Sequence, residues 1–180
     1  MRQQSEKPIG IVNIVYDTDA NIQNCNLLTN FFSQHRYAVQ QFNMKNISRH
    51  ARTMNNLPTF LVGVGRAGDI VQNITRTNNT YTGGISIMAR PSVAQRLQQA
   101  CNLNFRRSPA PKIPLLIIGG WTAIRQMQTF VSVGECGIYN DTNLNNLNIV
   151  IYPEINAQNA LSVAQDDILS FLNSARQNCA

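Results

Sequence analysis

Short apolar segments typical of buried strands alternate along this sequence with segments in which apolar residues recur at helical spacing. The six predicted strands are Ile9–Tyr16, Tyr37–Phe42, Thr59–Val64, Gly84–Ala89, Leu115–Ile118 and Asn148–Tyr152. Consecutive parallel strands need a long crossover connection, and a helix usually supplies it. The alternation therefore predicts an α/β fold, a three-layer sandwich in which helices cover both faces of a mostly parallel sheet of about six strands.

The predicted helices follow the strands in regular order. They are a segment around Cys25–Phe32, a segment around Ile70–Ile74, and the segments Val93–Leu103, Ala123–Val133 and Ala157–Arg176. No internal repeat or low-complexity stretch interrupts this order, and 180 residues is an ordinary size for one domain. We therefore expect residues 1–180 to form a single domain.

Basic residues are concentrated in the middle of the chain. The segment from Lys45 to Arg125 contains eleven lysines and arginines and one acid, Asp69, whereas the residues from Gln126 onward carry five acids and one arginine. This asymmetry would attract nucleic acid, a phosphate ligand or an acidic protein to one part of the surface. A solvated basic surface is the simpler interpretation, because no basic run with interleaved aromatics indicates a nucleic-acid groove.

Two classes of protein are disfavoured by the remaining composition. The first apolar run, Ile9–Tyr16, is too short to span a membrane and no small-residue cleavage site follows it, so we expect a cytoplasmic protein. The four cysteines are widely spaced without a C-x-x-C pair, which favours ordinary thiols over a zinc site or disulfides. We expect no metal and no cofactor.

Three glycines, Gly63, Gly65 and Gly68, form a G-x-G-x-x-G pattern between the third strand and the next helical segment. Such a turn aims backbone N–H groups and the positive end of a helix at a phosphate, and Arg66 and Arg90 would assist. One hypothesis is therefore a phosphate- or nucleotide-binding site, with a flavodoxin- or Rossmann-like sheet as the alternative fold. A tight turn needed only for packing is the simpler interpretation, because the acidic ribose partner is missing at its usual distance.

Several segments taken together resemble the α/β-hydrolase superfamily, in particular its small dienelactone-hydrolase-like members. The segments that carry the resemblance are Ile9–Tyr16, Phe31–Val39, Phe60–Gly68, Ile113–Gly120 and Asn148–Pro153. In order, they resemble the strand before the oxyanion loop, a helix end leading into the next strand, the nucleophile elbow, the strand before the acid loop and the strand before the histidine loop. The resemblance covers nearly the whole chain and implies one α/β-hydrolase-like domain.

The catalytic triad that the resemblance implies is missing from this sequence. The nucleophile of a G-x-S-x-G elbow falls at Gly65, the acid falls near Thr122, and the histidine falls near Asn156 or Ala157. No histidine occurs after His50. The loop after the first strand carries Asp17 and Asp19, whose charges would repel a developing oxyanion. We therefore expect no hydrolysis through a serine triad.

The remaining candidate residues have plain structural explanations. His35 and His50 have no recognisable catalytic partner, and Cys136 follows Glu135, which would raise its thiol pKa. Asp17 and Asp19 would ligate a divalent ion, but helix capping explains them more simply.

The leading hypothesis is a non-catalytic α/β-hydrolase-like protein that acts as a macromolecular binding subunit or scaffold. Its partner would be another protein, and the candidate contact residues are Trp121, Arg106 and Arg107. The alternatives are the phosphate or nucleotide ligand at the glycine turn and a hydrolase with a displaced catalytic site.

Overall fold

The computed structural model describes residues 7–17, 22–45, 47, 57–88, 111–120, 146–152, 154–155 and 159–178. The strands are β1 (Gly10–Tyr16), β2 (Tyr37–Asn43), β3 (Thr59–Val64), β4 (Gly83–Ile87), β5 (Leu115–Gly120) and β6 (Leu147–Tyr152). The helices are α1 (Ile22–Gln34), α2 (Arg66–Thr77) and α3 (Ala160–Gln177). Every predicted strand is present, with its ends within two residues of the prediction, whereas the predicted helices at 93–103 and 123–133 lie outside the described residues.

The six strands form one parallel sheet in the order β2-β1-β3-β4-β5-β6. The chain leaves β1 toward β2, returns past β1 to β3, and then adds each later strand beside the one before it. This reversal of direction places a topological switch point between β1 and β3. Crevices at the carboxyl ends of the strands at such points are where open α/β sheets bind their ligands.

Alternate residues of each strand enter two separate hydrophobic clusters on the two faces of the sheet. Val12, Phe60 and Leu116 pack with α1 and α3 on one face. Leu61 and Leu115 pack with α2 on the other face. Both faces are therefore covered, which explains why the strands are almost continuously apolar, and the predicted three-layer sandwich is confirmed.

Helices α1 and α2 lie on opposite faces of the sheet. The β1–β2 and β3–β4 connections run in opposite directions along the sheet, and right-handed crossovers in opposite directions place their helices on opposite faces. None of the helices among the described residues is both long and apolar enough to cross a bilayer.

Candidate functional site

The carboxyl end of β3 turns directly into α2 at the switch point. Gly65 is the only residue between the two elements, and its backbone has φ 61° and ψ −124°. A side chain at a positive φ of this kind costs about 1–3 kcal/mol, so such conformations persist only where the surrounding structure imposes them. The turn is thus a strained strand-to-helix elbow of the type that exposes a nucleophile in hydrolases.

The elbow is closely packed at Gly63 and open at Gly65. A Cβ atom on Gly63 would lie 2.5 Å from the carbonyl oxygen of Ala67, so only glycine fits there. A Cβ atom on Gly65 would meet no atom within 4 Å. The turn therefore spans the five residues from Gly63 to Ala67, with Gly65 at its centre, and the assignment of Gly65 to the nucleophile position stays a prediction. Gly68 belongs instead to the buried first turn of α2.

The elbow uses part of its hydrogen-bonding capacity internally. The N–H of Gly65 donates to the carbonyl of Ile87 at 2.8 Å, and the N–H of Gly68 donates to the carbonyl of Gly65 at 3.0 Å. The N–H groups of Arg66 and Ala67 belong to the first turn of α2 and have no acceptor within the helix. The glycine pattern accordingly offers fewer donors to a phosphate than its sequence suggests.

A carboxylate lies at the same edge of the sheet. Asp17 follows β1, and its Oδ2 lies 3.7 Å from Nη1 of Arg66, whose side chain is 65% exposed. An ion pair this exposed contributes at most about 1 kcal/mol, but it draws the Arg66 guanidinium toward Asp17 and adds negative charge beside the elbow. This arrangement disfavours an anionic ligand. Arg90, the other predicted phosphate contact, lies outside the described residues, so the phosphate site stays a prediction.

A second group of polar side chains lies at the carboxyl end of β6. Tyr152 ends the strand, and its hydroxyl donates to Oδ2 of Asp167 on α3. This hydrogen bond, together with burial and the charges of Asp167 and Asp166, raises the pKa of Tyr152 to about 12. A cleft of about 410 Å³ lies beside them and is lined by Tyr152, Glu154, Asn159 and Val163.

The bond between Tyr152 and Asp167 was not anticipated from the sequence. Asp167 borders the apolar stripe formed by Ala164 and Ile168 on α3, but charged residues of an amphipathic helix ordinarily face solvent, so no signal in the sequence indicated this contact.

We expect Tyr152 to titrate near pH 12, above the ordinary tyrosine pKa of 10.0. The hydrogen bond favours the neutral phenol, so its contribution to stability is fully present below pH 10 and is lost as the pH rises through about 12. Replacing Asp167 with asparagine removes the charge and should lower the pKa of Tyr152. A ¹³Cζ-tyrosine NMR titration of the protein and of Asp167→Asn, assigned with Tyr152→Phe, measures both values. An unchanged pKa in Asp167→Asn would contradict the assignment.

Other candidate residues are structural or outside the described part of the chain. His35 follows α1 at the amino-terminal edge of the sheet, away from the elbow, and its ring packs on Phe31 with centroids 4.8 Å apart. No group of three His, Cys, Asp or Glu side chains within the described ranges could hold a metal ion. The residues Arg106, Arg107, Trp121, Thr122 and Ala157 lie outside the described residues, as do His50 and Cys136.

The difference in exposure between Gly65 and Cys25 is testable with one reagent. Cys25 is buried, and burial raises the pKa of its thiol, so we expect it to resist iodoacetamide in the native protein. A cysteine introduced at position 65 would project into open space and should be alkylated. Peptide mapping of Gly65→Cys follows the two sites separately. Equal protection at both positions would mean that the elbow is covered.

Comparisons with known proteins identify the fold. No family model matches the sequence, and no curated protein matches it. Among solved structures, Est1E from Butyrivibrio proteoclasticus matches 95% of this chain and 91% of its own length, at 8% identity with a TM-score of 0.60.

Two further structures match in the same way. A Pyrococcus furiosus esterase matches 97% of this chain and 83% of its own length, at 10% identity with a TM-score of 0.61. A candidate dienelactone hydrolase from Klebsiella pneumoniae matches 95% of this chain and 89% of its own length, at 12% identity with a TM-score of 0.57. At these identities the similarity establishes the arrangement of the chain and not its chemistry.

Proposed function

We propose that this chain, which has the α/β-hydrolase fold, is a non-catalytic subunit or scaffold that binds another protein. The observation that carries the proposal is Gly65. The elbow keeps the strained backbone that exposes a nucleophile in this fold, yet the residue at its centre has no side chain with which to attack a carbonyl.

The surroundings of Gly65 support the same conclusion. Hydrolysis through an elbow also needs donors aimed at the developing oxyanion, and the N–H that follows the nucleophile is one of them. In this chain that N–H belongs to Arg66, whose side chain is paired with Asp17. A carboxylate at this edge opposes the accumulation of negative charge in a transition state. Asp17 therefore works against the reaction that the fold usually performs.

A general base is also missing from the described part of this edge. The sequence holds two histidines, and His35 lies at the opposite edge of the sheet. The other histidine, His50, precedes β3 in a segment rich in arginine, where the resemblance places no catalytic residue. Among the described residues, no histidine lies at the carboxyl ends of these strands to activate a serine elsewhere.

Ester hydrolysis tests the first half of the proposal. We expect purified protein to show no turnover of p-nitrophenyl esters of short to medium chain length above the rate in buffer, and no labelling by a fluorophosphonate. Gly65→Ser should remain inactive as well, because a serine without a base is a weak nucleophile. Turnover that is lost on replacing one named serine or cysteine would show instead a hydrolase with a displaced site.

Affinity capture tests the second half. Tagged protein is recovered from its native lysate at low and at high salt, and the amounts of co-purifying proteins are measured against the tagged chain. We expect one protein in a fixed molar ratio. Recovery of the free chain alone would contradict the binding role and favour a phosphate ligand instead. Such a ligand would stabilise the native protein when phosphate or nucleotides are added. The stabilisation should be lost in Gly65→Val or Arg90→Ala.

A further inference from the structure

The cleft at the carboxyl end of β6 combines an apolar wall with a carboxylate. The Tyr152 ring and the Val163 side chain form the apolar part, and Glu154 and Asn159 form the polar part. Val163 is 41% exposed and is, with Leu27, one of two large apolar side chains in the described ranges that are exposed to this degree. The apolar wall therefore stays in contact with water unless something covers it.

The charge around this cleft is negative. Glu154 is exposed, Asp167 accepts the hydrogen bond of the Tyr152 hydroxyl, and Asp166 is adjacent. Within the described part of the chain no lysine or arginine pairs with Glu154 or Asp166. A cation entering the cleft would thus meet the Glu154 carboxylate that lines it, with the charges of Asp166 and Asp167 acting on Tyr152 from α3, whereas an anion would be repelled.

The walls of the cleft are held in place before any ligand arrives. The side-chain amide of Asn159 donates to the backbone carbonyl of Glu154 at 3.0 Å, which joins the turn after β6 to the start of α3. The bond from Tyr152 to Asp167 fixes the ring against the same helix. A site whose walls are already ordered loses less entropy on binding than one that must close around its ligand.

We propose that this cleft binds an arginine side chain of the protein partner. The guanidinium would stack on the face of the Tyr152 ring with its charge toward Glu154, and its alkyl stem would lie against Val163. Guanidinium suits such a site better than ammonium because it is planar and less strongly hydrated. The inference rests on the proposed function and adds to it that the partner presents a basic segment.

The test uses two small probes of the same shape. N-acetyl-arginine N-methylamide carries the charge, and N-acetyl-citrulline N-methylamide has a neutral urea in place of the guanidinium. In ¹⁵N-NMR titrations of the full chain, the arginine probe should shift the resonances of Glu154, Asn159 and Val163 in a saturable manner. The citrulline probe should bind about threefold to thirtyfold more weakly.

Variants localise the binding. Glu154→Gln and Tyr152→Leu should each weaken binding of the arginine probe several-fold, and Tyr152→Phe should retain most of it because the ring remains. Gln165→Ala, at an exposed position of α3 outside the cleft, is the matched control and should change nothing. Equal binding of the two probes, or full binding by Glu154→Gln with a native spectrum, overturns the inference.

The two proposals fail in different ways. The arginine cleft alone is overturned if Glu154→Gln captures the partner as strongly as the unaltered chain does and the unaltered chain does not respond to the arginine probe. Ester turnover or the absence of any partner overturns the proposed function.

Discussion

Replacing Gly63 with alanine is expected to lower the free energy of unfolding by about 3 kcal/mol or more. The added Cβ would lie 2.5 Å from the carbonyl oxygen of Ala67, 2.6 Å from its carbonyl carbon and 2.8 Å from the amide nitrogen of Gly68. All three are backbone atoms of the first turn of α2, so they can move only if the helix shifts on β3. Urea denaturation followed by circular dichroism measures the loss.

Gly65→Ala is the matched comparison at the same turn. Of these two glycines only Gly65 has a positive φ, but a Cβ at this position enters open space. Its cost is limited to backbone strain of about 1–3 kcal/mol. We therefore expect Gly63→Ala to be the more destabilising of the two variants. The opposite order would mean that α2 approaches β3 less closely than described.

Replacing Phe60 with alanine is expected to lower the free energy of unfolding by about 3–5 kcal/mol. Phe60 lies on the central strand β3, is completely buried, and packs edge-to-face on Tyr37 with ring centroids 6.1 Å apart. The cavity would open in the cluster that joins the sheet to α1 and α3. In a domain of this size the loss corresponds to a decrease in Tm of about 6–20 °C, which calorimetry measures.

Leu27→Ala is the control for Phe60→Ala. Leu27 lies on α1 and is 51% exposed, so its truncation should change stability by no more than about 0.5 kcal/mol. A small effect at Phe60, comparable with that at Leu27, would contradict the assignment of Phe60 to the core.

The fold could be predicted from the sequence because its signals are local. Each strand is a short apolar run next to a segment of helical spacing, and a buried parallel sheet needs little more than that alternation. The boundaries of Thr59–Val64 were predicted without error, because a proline before it and a glycine turn after it limit the strand. The order of the strands, β2-β1-β3-β4-β5-β6, could not be predicted from this periodicity, because apolar runs do not specify which strands are neighbours.

The candidate site was predictable only where the chemistry lies in consecutive residues. The turn around Gly65 is one continuous run of residues, so its place between β3 and α2 could be predicted, whereas its role stays a prediction. The bond between Tyr152 and Asp167 joins residues fifteen positions apart on different elements. Asp17 and Arg66 also form a pair although α1, β2 and β3 lie between them in the sequence. Such contacts depend on the packing of helices on the sheet, which spacing along the chain does not specify.

The position of α3 governs when this protein becomes folded. Side chains of β1, β3, β4 and β5 share one cluster with α1 and α3, so the part of that face under α3 remains uncovered during synthesis until residues 160–178 have left the ribosome. Parallel strands pair only after long stretches of chain have closed, which makes such sheets slow to form. Nascent chains therefore expose a broad apolar surface, and we infer that folding is completed after translation of α3 rather than strand by strand. Truncation before Ala160 should consequently yield insoluble protein even though every strand is present.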